Sequence, residues 1–119
     1  MTEQEIIWFK DCSYENKHLV GGKCSSLGEL HGIAKRIGFS IGDGFAITTA
    51  LYDNFVEYNQ LESKIVSMLE KIDPTNIQEL EKQSLELRNL ISNAELSEEH
   101  TNIICQSYEQ LSKLYGREN

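Results

Sequence analysis

The chain has 119 residues, of which 39% are hydrophobic and 25% charged, a composition typical of one folded domain or part of one rather than of a disordered tail or a fibre. Nineteen acidic residues against eleven Lys and Arg give a formal net charge of −8, which argues against a general nucleic-acid surface because such surfaces are basic. No apolar run approaches the ~20 residues of a membrane span. The first residues are acidic, unlike a signal or transit peptide, so we expect a cytoplasmic protein.

The three cysteines, Cys12, Cys24 and Cys105, are an odd number without CxxC spacing, which is not the pattern of a disulfide framework. We therefore expect free thiols. Neither Cys12 with His18 nor Cys24 with His31 has the spacing of a common zinc site, so we assign no metal ligand.

The first part of the chain is rich in glycine and predicts short elements. Residues 6–9 (IIWF) form an apolar run with β-branched and aromatic side chains, typical of a buried strand. Residues 10–22 are predicted to be a loop. Ser25 or Ser26 would then cap a helix, which apolar residues at helical spacing extend to a stop at Gly38.

The next segment predicts a turn and a second strand. Residues 42–44 (GDG) favour a hairpin or tight turn, and the alternation that follows places Phe45 and Ile47 on the buried face of a strand. The rest of the chain has helical periodicity and is interrupted at its single proline, Pro74. Further helices are predicted to begin near Thr48 or Thr49, near Leu61, at Thr75 with Gln78 in capping-box spacing, and at Ser97.

These elements predict an α+β, mostly helical fold with about five helices and two short strands, near residues 5–10 and 43–48. Two short strands are not independently stable unless they pack on helices or on more chain, so we expect the sheet to be incomplete. The expected core residues are Trp8, Leu27, Leu30, Phe45, Ile47, Phe55, Ile65, Leu69, Leu80, Leu87, Ile104 and Leu111.

The segment Gly21-Gly22-Lys23 is the clearest candidate for chemistry. Glycine lets the backbone approach a ligand closely, a helix N-terminus offers unpaired N–H groups, and Lys23 adds a mobile positive charge. It is not a P-loop, which would need Gly at position 17 and Ser or Thr at 24, where the chain has Lys17 and Cys24. Spacing alone leaves two interpretations open: a phosphate site, or an ordinary loop-to-helix turn with a solvated lysine.

Two longer motifs resemble a known family. Residues 19–30 (LVGGKCSSLGEL) resemble the VGGKxxSLGEM opening of the nucleotide-binding domain of phosphoenolpyruvate synthase and pyruvate phosphate dikinase. Residues 41–55 (IGDGFAITTALYDNF) resemble the family's VPxGFAxTTxAYxxF segment, although Gly42 stands where the family usually has proline. The synthase is the better match; the dikinase and rifampicin phosphotransferases, which share the opening, remain alternatives.

The resemblance implies an ATP-grasp fold, of which residues 1–119 would be a single, partial, N-terminal segment. It implies that Lys23, with Gly21 and Gly22, contacts ATP phosphates. The full enzyme would convert ATP, pyruvate and water to phosphoenolpyruvate, AMP and phosphate, with Mg²⁺ ligands and catalytic groups outside this chain. We therefore expect the isolated chain to be inactive and assign it no catalytic residue.

A second hypothesis is a stand-alone, non-catalytic binding or regulatory module derived from this family. The expected partners are a nucleotide and the remainder of a parent enzyme, with neither nucleic acid nor membrane. Self-association through an open sheet edge is a further alternative, because unpaired strand edges recruit further strands.

Overall fold

The computed structural model describes residues 4–116. Within that range it is mostly helical, with two short strands, which confirms the predicted fold class. Two 3₁₀ turns, Phe9–Asp11 and Tyr14–Asn16, lie between the first strand and the first helix. The strands and α-helices are β1 (Ile6–Trp8), α1 (Lys17–Ile37), β2 (Phe45–Ile47), α2 (Thr49–Tyr58), α3 (Glu62–Glu70), α4 (Ile77–Ser92) and α5 (Glu98–Leu114).

The chain divides into two compact units. The first unit combines the residues up to Tyr52 with those from Glu98 onward, and the second is the intervening segment, residues 53–97. Among residues 4–116, none of the helices has the combined length and hydropathy of a membrane span.

A small antiparallel sheet organises the first unit. Strand β1 pairs with β2 so that Ile7 lies opposite Ala46 and Trp8 lies opposite Phe45. Ile7, Ala46 and Cys12 are buried together. The partly buried side chains that pack against this cluster are Phe9, Leu19, Val20 and Cys24.

The predicted buried face of β2 is wrong. Ala46 and Thr48 are buried, whereas Ile47 is 50% exposed and Phe45 is half-buried beside Trp8, with ring centroids 5.5 Å apart. Alternation along a strand separates two faces but does not say which face is covered. Here residues of α1 pack on the face that carries Ile7 and Ala46.

The segment predicted as a loop over residues 10–22 is largely helical, and the predicted cap at Ser25 or Ser26 is wrong. Helix α1 begins at Lys17 and continues past an interruption at Gly21. A 3₁₀ turn, Tyr14–Asn16, leads directly into it, and Ser13 caps that turn: its side chain accepts from the Glu15 N–H in a capping box with Asn16. Asn in place of the usual Glu or Gln hides this box in the sequence.

Glycines set the ends and the packing of α1. A β-carbon at Gly28 would lie 1.7 Å from the carbonyl oxygen of Cys12, so the helix can contact that backbone only without a side chain at this position. Gly38, with φ of 87°, ends α1 and confirms the predicted stop. Residues 42–44 do not form the predicted hairpin turn. The two strands that pair, β1 and β2, are separated along the sequence by the whole of α1, so no short turn connects them.

Helix α5 belongs to the first unit and is joined to it at both ends. Near its start, the buried His100 places Nε2 2.5 Å from Oε2 of Glu5. Beyond its end, the hydroxyl oxygen of Tyr115 accepts a hydrogen bond from the Asp43 N–H at 2.6 Å. These two contacts fix the helix against β1 and against the loop that leads into β2.

The second unit contains a polar bridge at Asn59 and two buried side chains. Phe55 and Leu61 are buried. The Asn59 side chain donates to the carbonyl oxygens of Phe55 and Glu95, both at 2.9 Å, and accepts from the Glu95 N–H at 3.1 Å. The end of α2 is thereby joined to the loop that follows α4.

The predicted capping box of α4 at Thr75 and Gln78 is wrong by one residue. The N-cap is Asn76, whose Oδ1 accepts from the Glu79 N–H at 3.2 Å. The Thr75 hydroxyl instead donates to Asp73 at 2.6 Å, and this bond lowers the pKa of the Asp73 carboxyl.

The predicted core is only partly buried in the structure. Phe55 is confirmed as buried, and Leu30, Ile47 and Leu69 are wrong because each is about half exposed. Helical spacing identifies a common face but not how completely a neighbour covers it. The remaining predicted core residues are partly buried and less exposed than those three. They are Trp8, Leu27, Phe45, Ile65, Leu80, Leu87, Ile104 and Leu111.

Candidate functional site

The break in α1 creates the local geometry of the candidate site. Gly21 has φ of 82° and ψ of 174°, a conformation that glycine adopts without steric cost. A new helical segment therefore starts at Gly22 and runs to Ile37. The first amides of a helical segment lack partners within it and carry the positive end of its dipole, which favours anions.

Ser25 stabilises this first turn from within. It is fully buried, and its Oγ donates to the carbonyl oxygen of Gly22 at 2.9 Å. The serine that the sequence suggested as a cap therefore holds the backbone one turn earlier, beside Lys23.

An open cleft of about 610 Å³ lies at this turn. Two lysines, Lys17 and Lys23, border it, and both are exposed. The cleft thus combines two ammonium groups, small hydroxyl side chains and an apolar wall. Its lining residues are Tyr14, Lys17, Gly22, Lys23, Ser25, Ser26, Leu27 and Leu30.

Lys17 is the charged lining residue that sequence reasoning missed. A β-carbon at Gly22 would lie 3.8 Å from Cε of Lys17, so the lysine stem passes directly over the glycine backbone. In the sequence analysis, Lys17 served only to exclude a P-loop, which would have glycine at this position. Its signal was a second lysine on the far side of the Gly-Gly pair, which becomes informative once α1 is known to start at Lys17.

The segment before α1 is tied to the helix by side-chain contacts. The Tyr14 N–H donates to Glu29 Oε1 at 3.1 Å, and the Asn16 amide donates to the Asp11 carbonyl oxygen at 3.0 Å. These contacts hold Tyr14, and the short segment that leads into Lys17, at the cleft.

Comparison with known proteins matches residues 17–119 to the family described as pyruvate phosphate dikinase, AMP/ATP-binding domain. The chain belongs to this family. It is 37% identical over 110 residues to phosphoenolpyruvate synthase of Helicobacter pylori and 29% identical over 107 residues to that of Escherichia coli. It is also 29% identical over 114 residues to the probable phosphoenolpyruvate synthase of Methanothermobacter thermautotrophicus.

These matches cover most of this chain but little of each relative. They include 92%, 90% and 96% of the chain, and 14%, 14% and 16% of the H. pylori, E. coli and M. thermautotrophicus proteins, respectively. The chain therefore corresponds to a small part of such proteins, within their AMP/ATP-binding domain, and the resemblance inferred from the two motifs is confirmed.

The other residues considered from the sequence lie outside the cleft of this AMP/ATP-binding segment. Nε2 of His31 is 3.3 Å from the Gly42 carbonyl oxygen, and the backbone of His18 accepts from the Thr49 hydroxyl. Cys12, Cys24 and Cys105 are free thiols. Within residues 4–116, no three His, Cys, Asp or Glu side chains are arranged to hold a metal ion.

Proposed function

We propose that the cleft at the Gly21 break binds the phosphates of ATP, with Lys23 as the principal cation and the backbone of Gly21 and Gly22 beside it. Membership in an AMP/ATP-binding family supports a nucleotide ligand. The observation that carries the assignment to this cleft is the Gly21 interruption, which exposes the start of a helical segment next to Lys23. Helix N-termini with a nearby lysine suit phosphate groups.

Lys17 supplies a second positive charge in this proposal. The net charge of −8 repels an anion at long range, but exposed charges beyond roughly 10 Å are largely screened at 0.1 M ionic strength. The charges close to the cleft therefore matter most. The charged lining residues are Lys17 and Lys23, and the neighbouring carboxylate of Glu29 accepts a hydrogen bond from the Tyr14 N–H.

Mg²⁺ would accompany the nucleotide rather than bind to the cleft. Mg²⁺ prefers oxygen ligands and is commonly held by substrate phosphates and one or two carboxylates. The lining residues include no Asp or Glu, so they do not fit a metal site. Any protein ligand of Mg²⁺ would come from another part of the enzyme.

The activity we propose for a whole enzyme containing this segment is that of a phosphoenolpyruvate synthase, which uses ATP, pyruvate and water in the cytoplasm. Phosphoryl transfer depends on positioning and on neutralising charge at several points. Two lysines and a helix start can hold phosphates but supply neither a phosphoryl acceptor nor a pyruvate site. We therefore propose that the 119-residue chain alone is inactive and binds ATP only at millimolar concentration or more weakly.

The partner in this proposal is the remainder of the enzyme, and the sheet offers one place for it. Each of the strands β1 and β2 has one neighbour in the described structure, and unpaired strand edges accept further strands. Self-association of the isolated chain through this edge is the competing outcome, and sedimentation over a range of protein concentrations distinguishes the two.

The phosphate assignment can be tested by NMR titration of the 119-residue chain with Mg-ATP. Amide shifts should move at residues 21–25, and Lys23→Ala should weaken binding roughly 10- to 100-fold, because a hydrogen bond to a charged group is worth about 1.5–3 kcal/mol. Lys35→Ala is the matched control, since Lys35 is an exposed lysine in the last turn of the same helix.

Equal effects of Lys23→Ala and Lys35→Ala would contradict the assignment, because the anion would then be attracted by the general charge of the surface. Micromolar affinity of the isolated chain would contradict the proposed weak binding instead, because the segment would then hold a complete site. In a full-length enzyme, Lys23→Ala should severely lower kcat/KM for ATP. Lys23→Arg should restore it only in part, because a planar guanidinium does not replace a compact ammonium.

A further inference from the structure

Two of the three cysteines, Cys12 and Cys24, belong to one packed group of side chains close to the cleft. Cys12, at the end of the first 3₁₀ turn, is 3% exposed and belongs to the buried cluster with Ile7 and Ala46. Cys24 lies in the first turn after the Gly21 break and packs against that cluster.

Gly28 shows on which face of α1 the Cys12 side chain lies. A β-carbon at Gly28 would be 2.8 Å from Cβ of Cys12. Residues four apart lie on one face of a helix, so Cys24, four residues before Gly28, shares the face that Cys12 covers. A disulfide requires the two β-carbons to be about 3.5–4.5 Å apart, a separation that neighbours packed on one helix face can reach with little movement.

The two thiols differ in their surroundings. Burial raises the pKa of the Cys12 thiol, and the nearby Cys24 and Asp11 raise it further. Cys12 is therefore held protonated at neutral pH. Cys24 is half-buried rather than buried, which makes it the thiol that a small oxidant reaches first.

We propose that Cys12 and Cys24 are a reversible redox pair, in which a hydroperoxide oxidises Cys24 and Cys12 then closes a disulfide. The ring that this bond creates contains residues 12–24, and with them Tyr14, Lys17, Gly22 and Lys23 of the cleft lining. The cross-link itself does not depend on nucleotide binding. Its consequence for the cleft rests on the proposed function.

The chemistry balances with the hydroperoxide as the only co-reactant. The thiolate sulfur of Cys24 attacks the terminal peroxide oxygen, the O–O bond breaks, and the leaving alkoxide or hydroxide takes up a proton; Cys24 becomes a sulfenic acid. The Cys12 sulfur then attacks the Cys24 sulfur, the S–S bond forms, the S–O bond breaks, and the thiol proton leaves with the hydroxyl as water. Two thiols lose two electrons, and a thiol reductant reverses the reaction by exchange.

The pair can be tested in the 119-residue chain carrying Cys105→Ser, which removes the exposed third thiol. Equimolar hydrogen peroxide should produce an intact mass lower by two hydrogens and a peptide that joins Cys12 to Cys24, and dithiothreitol should reverse both. Cys12→Ala and Cys24→Ser should each abolish the loss of two hydrogens, while circular dichroism checks that each variant keeps its helices.

A denatured sample provides the control for proximity. In guanidinium the same chain should form the disulfide at least several-fold more slowly, because the native packing that keeps the two cysteines near each other is lost. Equal rates in the two conditions would overturn the proposal. Oxidation of Cys24 to sulfinic acid with a free Cys12 thiol would overturn it as well.

A separate measurement tests the link to the cleft. Saturating Mg-ATP should slow disulfide formation at least about threefold, since phosphates bound at the first turn would cover Cys24 beside Lys23. An unchanged rate would remove this link and leave the cross-link intact. If no disulfide forms but Mg-ATP binds as proposed, only the redox pair is contradicted and the proposed function stands.

Discussion

The two units of the chain are stabilised in different ways. In the first unit, backbone segments meet so closely that glycine is required: a β-carbon at Gly28 would overlap Cys12, and one at Gly44 would lie 2.4 Å from a ring carbon of Phe9. Residues 53–97 of the second unit contain no glycine at all. Their arrangement depends on the Asn76 cap of α4, on the Asn59 bridge and on the buried side chains of Phe55 and Leu61.

The burial of apolar residues follows the same division. In the first unit, Ile7, Cys12 and Ala46 form a buried cluster on which α1 packs. In the second unit, α3 and α4 contain no buried residue, and apolar side chains such as Leu69 and Ile77 are 52% and 69% exposed. The candidate cleft lies in the unit whose backbone is fixed by close contacts, which is where a phosphate site needs its rigidity.

The largest effect is expected from Phe55→Ala in the second unit. Phe55 is 8% exposed, and truncating a buried Phe costs about 3–5 kcal/mol. Leu69→Ala is the control on an exposed position and should change the free energy of unfolding by less than about 1 kcal/mol. Urea unfolding of the two variants measures this contrast. A loss below about 1 kcal/mol for Phe55→Ala would mean that this unit has no anchoring side chain there.

Gly28→Ala should be the most destabilising Gly-to-Ala substitution in the first unit. The new β-carbon would meet the Cys12 backbone at 1.7 Å, so α1 or the 3₁₀ turn must move, and overpacking of this kind costs about 1–3 kcal/mol or more. Gly32→Ala, on the same helix with nothing within 4 Å, should instead stabilise the chain by about 0.5–1 kcal/mol. Equal midpoints in urea for the two variants would show that the close approach does not hold in solution.

Glu5→Ala tests the contact that fixes α5 to the same unit. It removes the carboxylate beside the buried His100, and loss of a partner of a buried polar group costs about 1–3 kcal/mol. Glu5→Gln keeps an acceptor oxygen and should recover part of that loss. Thermal unfolding of the unsubstituted chain, Glu5→Gln and Glu5→Ala at one pH gives their order of stability. If Glu5→Gln were less stable than Glu5→Ala, the pair would not act as a hydrogen bond.

Sequence reasoning predicted the helices, the two strands and the Gly38 stop, because periodicity and helix-stop signals are local. It was wrong about which face of β2 is buried. That face is chosen by α1 through Leu19, Val20 and Cys24, and contacts between distant segments leave no periodic signal. The fold class therefore followed from the sequence, while the core did not.

The candidate site shows a similar limit. The Gly-Gly-Lys motif located the cleft, since glycines beside a lysine before a helix are recognisable in the sequence alone. The earlier start of α1 was missed because the turn that leads into it is capped by an unusual box, which pairs Ser13 with Asn16. Lys17 was missed with it, because a residue assigned to a loop cannot be placed on a helix turn.

The smallest effect is expected at the cap of α4, where the sequence was misread by one residue. Asn76 accepts from the Glu79 N–H, so Asn76→Ala should cost about 0.5–2 kcal/mol, typically near 1, whereas Asn76→Asp keeps a capping oxygen and should be nearly neutral. Gln78→Ala is the discriminating control. If Thr75 and Gln78 formed the capping box expected from the sequence, this substitution would cost as much stability as removing the N-cap. With Asn76 as N-cap, it should change the free energy of unfolding by less than about 0.5 kcal/mol. Urea midpoints of the three variants decide between the two registers. A larger loss for Gln78→Ala than for Asn76→Ala would restore the box at Thr75 and overturn the assignment of the helix start.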